Sequence, residues 1–217
     1  MKIQRTTSRD RGFTLTELLV VICVIAVVAV LLLSGLAAAK RKGSKVGCVN
    51  NLKQVSLASR VWEGDNGDKF PMQFALTNDA VMKLVSSGNA YVLWQTMSNE
   101  LATPKILACP ADEQRTAALS FSKNFSDANI SYFLNLDAAD AYPQMILSGD
   151  DNLAVNGVRV RPGILNLSTN ASIGWTKERH HGAGNLALSD GSVQSVTFAF
   201  QQRFHQIGFA ANRLVIP

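Results

Sequence analysis

Apolar and polar positions divide the chain into three stretches. From Leu18 to Ala39 almost every residue is apolar or small, with no recurring polar position to give a wet face. A helix of that length is about 33 Å long at ~1.5 Å per residue, enough to cross a bilayer. Next, "KVGCVNNLKQVSLASRVW" sets Val49, Leu52, Val55, Ser59 and Trp62 at three- and four-residue spacings. That stripe predicts an amphipathic continuation of the helix over 44–62. Gly43 and Gly47 weaken the juncture, by about 1 kcal/mol each relative to Ala. "EGDNGDKFP", from Glu63 to Pro71, then stops the helix with acids, glycines, an Asn and a Pro.

The third stretch is shorter-ranged. Residues 72–100 are mixed, and "NAYVLWQTM" fits a helix or a strand. "KILACPADE" reads as a short strand or loop ended by Pro110. From Ser131 onward the pattern turns β-like, in "ISYFLNL", "GVRVRPGILNL", "ASIGWT" and a final pair of strands. No internal repeat is visible. The predicted class is α+β: a long N-terminal helix, transmembrane and then amphipathic, packed on a C-terminal antiparallel sheet.

Charge changes the picture only at the N-terminus. The net charge is +5, but Lys2, Arg5, Arg9 and Arg11 against Asp10 place +3 of it before Phe13. No basic patch interleaved with aromatics remains, which argues against nucleic-acid binding. Two readings of the basic start compete. A secretory signal has an apolar region of about 7–15 residues and a small-residue cleavage site, which "GLAAAK" (Gly35 to Lys40) would supply. The apolar stretch here is longer than that, which favours a retained anchor. Lys40, Arg41, Lys42 and Lys45 follow the span as closely as four basic residues precede it, so the positive-inside rule gives no orientation.

One residue fits neither reading. Glu17 is the only carboxylate between Phe13 and Ala39. Near a bilayer core it costs roughly 2.5–3.5 kcal/mol, so it calls for a partner.

The segment "GFTLTELLVVICVIAVVAVLLL" resembles the class III signal of type IV pilins and type II secretion pseudopilins. The resemblance implies a cytoplasmic leader over 1–12, cut between Gly12 and Phe13 by a prepilin peptidase that also N-methylates Phe13. It further implies an assembly helix over 13–39 and an extracytoplasmic domain over 40–217, single-pass in the inner membrane. The implied partners are that peptidase/N-methyltransferase, other pilin or pseudopilin subunits, an inner-membrane assembly platform and membrane lipid. Glu17 of one subunit would then pair with the Phe13 amine of another, two costly charges offsetting each other. The span has no Pro, so no built-in kink is expected.

A second resemblance lies near the C-terminus. His180, nine residues, then Asp190-Gly191 resembles the H-x9-DG segment of a large subgroup of pilin-like proteins, here over 179–198. "CVNNLKQVSLA" (Cys48 to Ala58) and "CPAD" (Cys109 to Asp112) resemble the same subgroup. The residues themselves read as a hairpin with a type I′ turn at Asp190-Gly191, flanked by alternating Leu186/Leu188 and Val196/Phe198. A catalytic pair of His180 with Asp190 is disfavoured, because the strand residues between them span about 17 Å at ~3.3 Å each. A structural His is expected, and no Gly-x-Ser-x-Gly nucleophile motif is present. The chain is read as a non-enzyme needing no cofactor.

Given the orientation the resemblance implies, Cys48 and Cys109 share an oxidising compartment, and a disulfide is expected. It would close a loop of about 60 residues, worth roughly 4 kcal/mol in the chain-entropy model. Cys23 lies within the span as a small apolar filler. No paired Cys-x-x-Cys spacing points to zinc. Asp65 and Asp68 are Ca²⁺ candidates, but the twelve-residue loop with its terminal Glu is missing. The expected function is a pilus-like or pseudopilus subunit. The alternatives are a membrane-anchored module that binds a substrate or surface, or a secreted protein with an ordinary signal peptide.

Overall fold

The computed structural model of the protein describes residues 12–122, 124–167, 171–196 and 212–217. The leader charges and Phe198 lie outside them. Two compact units are present, one through Lys42 and one from Gly43 to Pro217. In the first, α1 (Leu15–Asp65) begins as the apolar helix, and its large side chains from Leu15 to Leu36 are exposed. Among the described residues this is the one helix long and apolar enough to cross a membrane.

The same helix enters the second unit without ending at Gly43 or Gly47. Its buried stripe there is Cys48, Leu52, Val55, Ser59 and Trp62, so Cys48 leads it where the spacing pointed to Val49. Gly47 has a packing reason. A Cβ there would sit 3.1 Å from Pro110 Cγ, so its absence admits the Cys109-Pro110 loop against the helix. Asp68, at a positive φ of 58°, turns the chain out of α1, and its N–H donates to the Glu63 carbonyl.

Four short helices follow: α2 (Pro71–Leu76), α3 (Asp79–Ser86), α4 (Tyr91–Thr96) and α5 (Ser98–Leu101). The ambiguous "NAYVLWQTM" is therefore helical, and it buries Leu93 and Trp94. Asn78 caps α3 by accepting from the N–H groups of Ala80 and Val81. "KILACPADE" forms a 3₁₀ turn over Pro104–Leu107 and then a loop.

The strands are β1 (Tyr132–Asn135), β2 (Ile146–Asp150), β3 (Leu153–Val155), β4 (Val158–Arg159), β5 (Gly163–Leu167), β6 (Ile173–Trp175), β7 (Gly184–Leu188), β8 (Val193–Val196) and β9 (Asn212–Ile216). Six form one antiparallel sheet in the order β5-β9-β1-β2-β7-β8, and three form another in the order β4-β3-β6. The last strand thus sits inside the large sheet, where Val215 faces both Leu134 and Ile164 in register.

Alternation along β1 shows how the layers stack. Tyr132 and Leu134 join the cluster built by α1 and the short helices, while Phe133 joins a second cluster with Ile146, Leu186 and Leu188. Leu153, Ile173 and Trp175 of the small sheet complete that second cluster. The large sheet is covered on both faces, and this is why β1 and β7 are buried at every position.

One local expectation is corrected. The β7–β8 hairpin is not closed by a type I′ turn, because Gly191 alone of its loop has positive φ (85°) while Asp190 does not. Gly191 N–H donates to the Leu188 carbonyl at 3.0 Å and Leu188 N–H to that of Ser192 at 2.9 Å. That is a three-residue loop with glycine as its bulge. Asp190 stabilises it from the side chain, Oδ1 accepting from Ser192 N–H at 2.8 Å.

Candidate functional site

Two places carry chemistry, one in each unit. At the start of α1, Thr14 and Glu17 form a reciprocal cap. Glu17 Oε2 accepts from the Thr14 N–H at 2.8 Å and from its hydroxyl at 2.7 Å, and Glu17 N–H donates to Thr14 Oγ1 at 3.3 Å. Thr-x-x-Glu before an apolar run is a capping-box signature, and it was open to reading in the sequence. Glu17 therefore has a partner within its own chain. Phe13 and Leu15 beside it are exposed, as is Cys23 further along.

The second site is buried in the domain. It gathers the three segments singled out by resemblance: the start of the amphipathic helix, the "CPAD" loop and the "RHH" turn. Cys48 and Cys109 are joined as a disulfide with a Cα–Cα distance of 5.1 Å. Asn51, one helical turn on from Cys48, donates from Nδ2 to the Ala108 carbonyl at 3.1 Å and holds the loop beside the bond. His180 Nε2 lies 3.4 Å from Cys109 Sγ and 3.6 Å from Asp150 Oδ2.

The chain is strained to place that imidazole. His180, His181 and Gly182 all have positive φ (49°, 57° and 80°), and Gly182 N–H closes the reversal on the Arg179 carbonyl at 3.2 Å. Left-handed backbone costs a non-glycine residue on the order of 1 kcal/mol or more. His180 precedes β7 and Asp190 follows it, so the two ends of the H-x9-DG segment serve different places.

Charges pack around the disulfide. Arg179 Nη1 contacts Asp112 Oδ2 at 3.1 Å and donates to the Ser131 carbonyl at 3.1 Å, and its Nη2 pairs with Asp151. Arg115 Nη2 reaches the other Asp151 oxygen at 3.1 Å. Ser131 donates to Asp112 at 2.8 Å and accepts from the Cys109 N–H at 3.0 Å. Asp150 is fully buried. Its Oδ2 accepts twice from Asn185, at 2.7 and 2.9 Å, and its Oδ1 has no hydrogen-bond partner among the described residues.

None of Asp150, Asp151, Arg115 or Arg179 was singled out from sequence, where nothing local marks a charge as buried. The Ca²⁺ candidates lie elsewhere, with Asp65 and Asp68 exposed where α1 ends.

Burial pushes the Asp150 carboxyl up to about 6, against the pull of Arg179 and the Asn185 hydrogen bonds. Burial, then the charge of Arg179, holds His180 down to about 4. At neutral pH the imidazole is therefore neutral beside an ionised carboxylate. The two groups oppose each other in stability. Folded Asp150 keeps a proton that an unfolded carboxyl with a value of 3.8 has released, so its contribution is present in acid and lost as pH rises through about 6. Folded His180 refuses a proton that an unfolded imidazole at 6.5 accepts, so its contribution is present above 6.5 and lost as pH falls through about 4.

Each change is worth roughly 3 kcal/mol at about 1.4 kcal/mol per pKa unit, so they nearly cancel. His180→Asn, which tolerates the left-handed backbone, is expected to uncover the Asp150 slope. Relative to wild type, its denaturant midpoint should fall between pH 4 and 7, whereas that of Asp150→Asn should rise. Profiles parallel to wild type in both variants would refute the assignment.

A family model described as the prokaryotic N-terminal methylation motif matches residues 7–33. Searches among characterised proteins and among solved structures return no match. The matched segment spans Gly12, Phe13, Glu17 and the first turns of the apolar helix. The N-terminus of this chain is thus a prepilin-type signal of the type IV pilin kind, leading into a pilin-like α+β arrangement.

Proposed function

We propose that the protein is a structural subunit of a type IV pilus-like or type II secretion pseudopilus filament. The observation that carries this reading is the methylation-motif match at 7–33, coinciding with Gly12-Phe13, Glu17 and a helix whose large apolar side chains from Leu15 to Leu36 are exposed. Such a surface must be covered, by lipid in the membrane and by neighbouring helices in a filament. Prepilin peptidase removes residues 1–12 and methylates Phe13. Residues 13–39 anchor the chain in the inner membrane, and residues 40–217 face outward. Other pilin-like subunits and an assembly platform are its partners, and the chain contributes packing surface, not catalysis.

Mass spectrometry of the mature N-terminus tests this. The expected chain starts at an N-methylated Phe13, and a bulky residue at Gly12 leaves a precursor heavier by the whole leader. A mature chain starting at Lys40 would establish the ordinary signal-peptide reading instead.

A further inference from the structure

The disulfide does not stand alone. The ligating atoms of Cys48, Cys109, Asp150 and His180 all lie within 4.8 Å of one another, brought together from α1, the "CPAD" loop, β2 and the strained turn before β7. Two sulfurs, one imidazole nitrogen and one carboxylate oxygen are the number and kind of donors that Zn²⁺ takes in a four-coordinate site. We propose that, once the Cys48–Cys109 bond is reduced, these four side chains bind one Zn²⁺ ion. The protein then has two alternative cross-links at the same point, one covalent and one metallic.

Three features point to a metal and not merely to a packed disulfide. Asp150 is wholly buried with Oδ1 lacking a hydrogen-bond partner among the described residues, although a disulfide gives a carboxylate nothing to bond. The imidazole is 3% exposed and held by left-handed backbone with Nε2 aimed between Cys109 and Asp150, where a ligand nitrogen would sit. The site also adjoins the surface, since Cys109 lines a cleft of about 410 Å³ with Pro110, Asp112 and Arg115. At Zn–S lengths of about 2.3 Å the two sulfurs must part to roughly 3.7 Å, a movement within side-chain reach of the present Cα separation.

The chemistry balances. A phosphine gives two electrons to the S–S bond, and water supplies the oxygen of the phosphine oxide and the protons of the two thiols. Zn²⁺ then displaces both protons and takes the thiolates, the neutral imidazole and the carboxylate. In a cell the thiol form is that of a chain still in a reducing compartment. This setting rests on the proposed export; the binding itself does not.

The test uses the full chain in detergent, its disulfide first verified by non-reducing peptide mapping. Phosphine-reduced protein is titrated with Co²⁺ and then Zn²⁺. The expected result is one equivalent of cobalt with thiolate charge-transfer and intense tetrahedral visible bands, displaced by one equivalent of zinc. The oxidised protein should show neither. Cys48→Ser should weaken the charge-transfer band, and His180→Asn should lower affinity by at least the about 10–100-fold typical of a lost second-shell group. Asp150→Asn should do the same, and His180→Asn keeps the test decisive if that buried variant misfolds. Reduced wild type without a one-equivalent cobalt spectrum overturns the proposal, as does unchanged affinity in His180→Asn. A shortened N-terminus would leave this outcome untouched, so the two readings fail separately.

Discussion

Arg179→Met is expected to cost the folded domain about 3–5 kcal/mol, the usual result of removing one partner from a buried ion pair. The guanidinium and the carboxylates of Asp112 and Asp151 are each no more than 4% exposed. Without it, Asp151 keeps its ion pair with Arg115, while Asp112 loses its buried one and Asp150 loses the charge that favours its ionised form. Distance alone does not set this value. Arg60 and Asp140 are closer than Arg179 and Asp112, at 2.9 against 3.1 Å, yet 41% and 45% exposed, and such a pair contributes about 0–1 kcal/mol.

Denaturant midpoints of the full chain in detergent measure the difference. Asp112→Asn in the Arg179→Met background should recover part of the loss, since it removes one stranded charge, and the double-mutant cycle should return a coupling above about 1 kcal/mol. A cost for Arg179→Met no larger than that of Arg60→Met would show that the cluster is solvated and that burial is not what makes Arg179 matter.

How legible all this was depended on the range of the signal. The apolar run, the stripe from Leu52 to Trp62 and the stop after Glu63 are local patterns, and α1 follows from them within a few residues. Strands β1, β4, β5, β6, β7 and β8 fall in segments that read as β from alternation and branched residues. Three strands did not read so. β2 ends in "SGD", and Asp151 and Asn152 lead from it into β3, polar residues that are nonetheless buried. β9 follows a segment whose pattern gave no element, and its place between β5 and β1 is a tertiary fact.

The site was legible in parts but not as a site. Cys48, Cys109 and His180 were each picked out, but their meeting depends on Gly47 admitting Pro110 and on three left-handed residues in succession. Neither is encoded by spacing. Asp150 and Arg179 were missed because a buried charge and a surface charge look alike in a sequence, and only the partner distinguishes them. The opposite happened at Glu17. There the Thr-x-x-Glu signature of the cap is local and legible, whereas the pairing with another subunit's Phe13 amine rests on resemblance.

That cap changes what a test of Glu17 must contain. Two roles now compete for the same carboxylate: closing the first turn of α1 through Thr14, and offsetting the Phe13 amine of a neighbouring subunit. The first is worth about 1 kcal/mol, the usual loss for a helix cap. The second would be lost as an uncompensated charge in a dry interface, about 3–5 kcal/mol, which is more than a hundredfold in an incorporation equilibrium. Glu17→Ala removes both and should insert at least as well as wild type, since a charge has left the span. Glu17→Gln separates them, because its amide oxygen still accepts from the Thr14 N–H while the charge is gone. Thr14→Ala does the reverse, keeping the charge and losing the hydroxyl. If the charge pair drives assembly, Glu17→Gln should fail to enter filaments beside wild-type subunits as completely as Glu17→Ala. Thr14→Ala should lose no more than the cap's share. Crosslinking of mixed subunits, or a count of filaments, reads the result. Normal assembly by Glu17→Gln with failure of Glu17→Ala would assign Glu17 to its own helix and leave the Phe13 amine to find another partner.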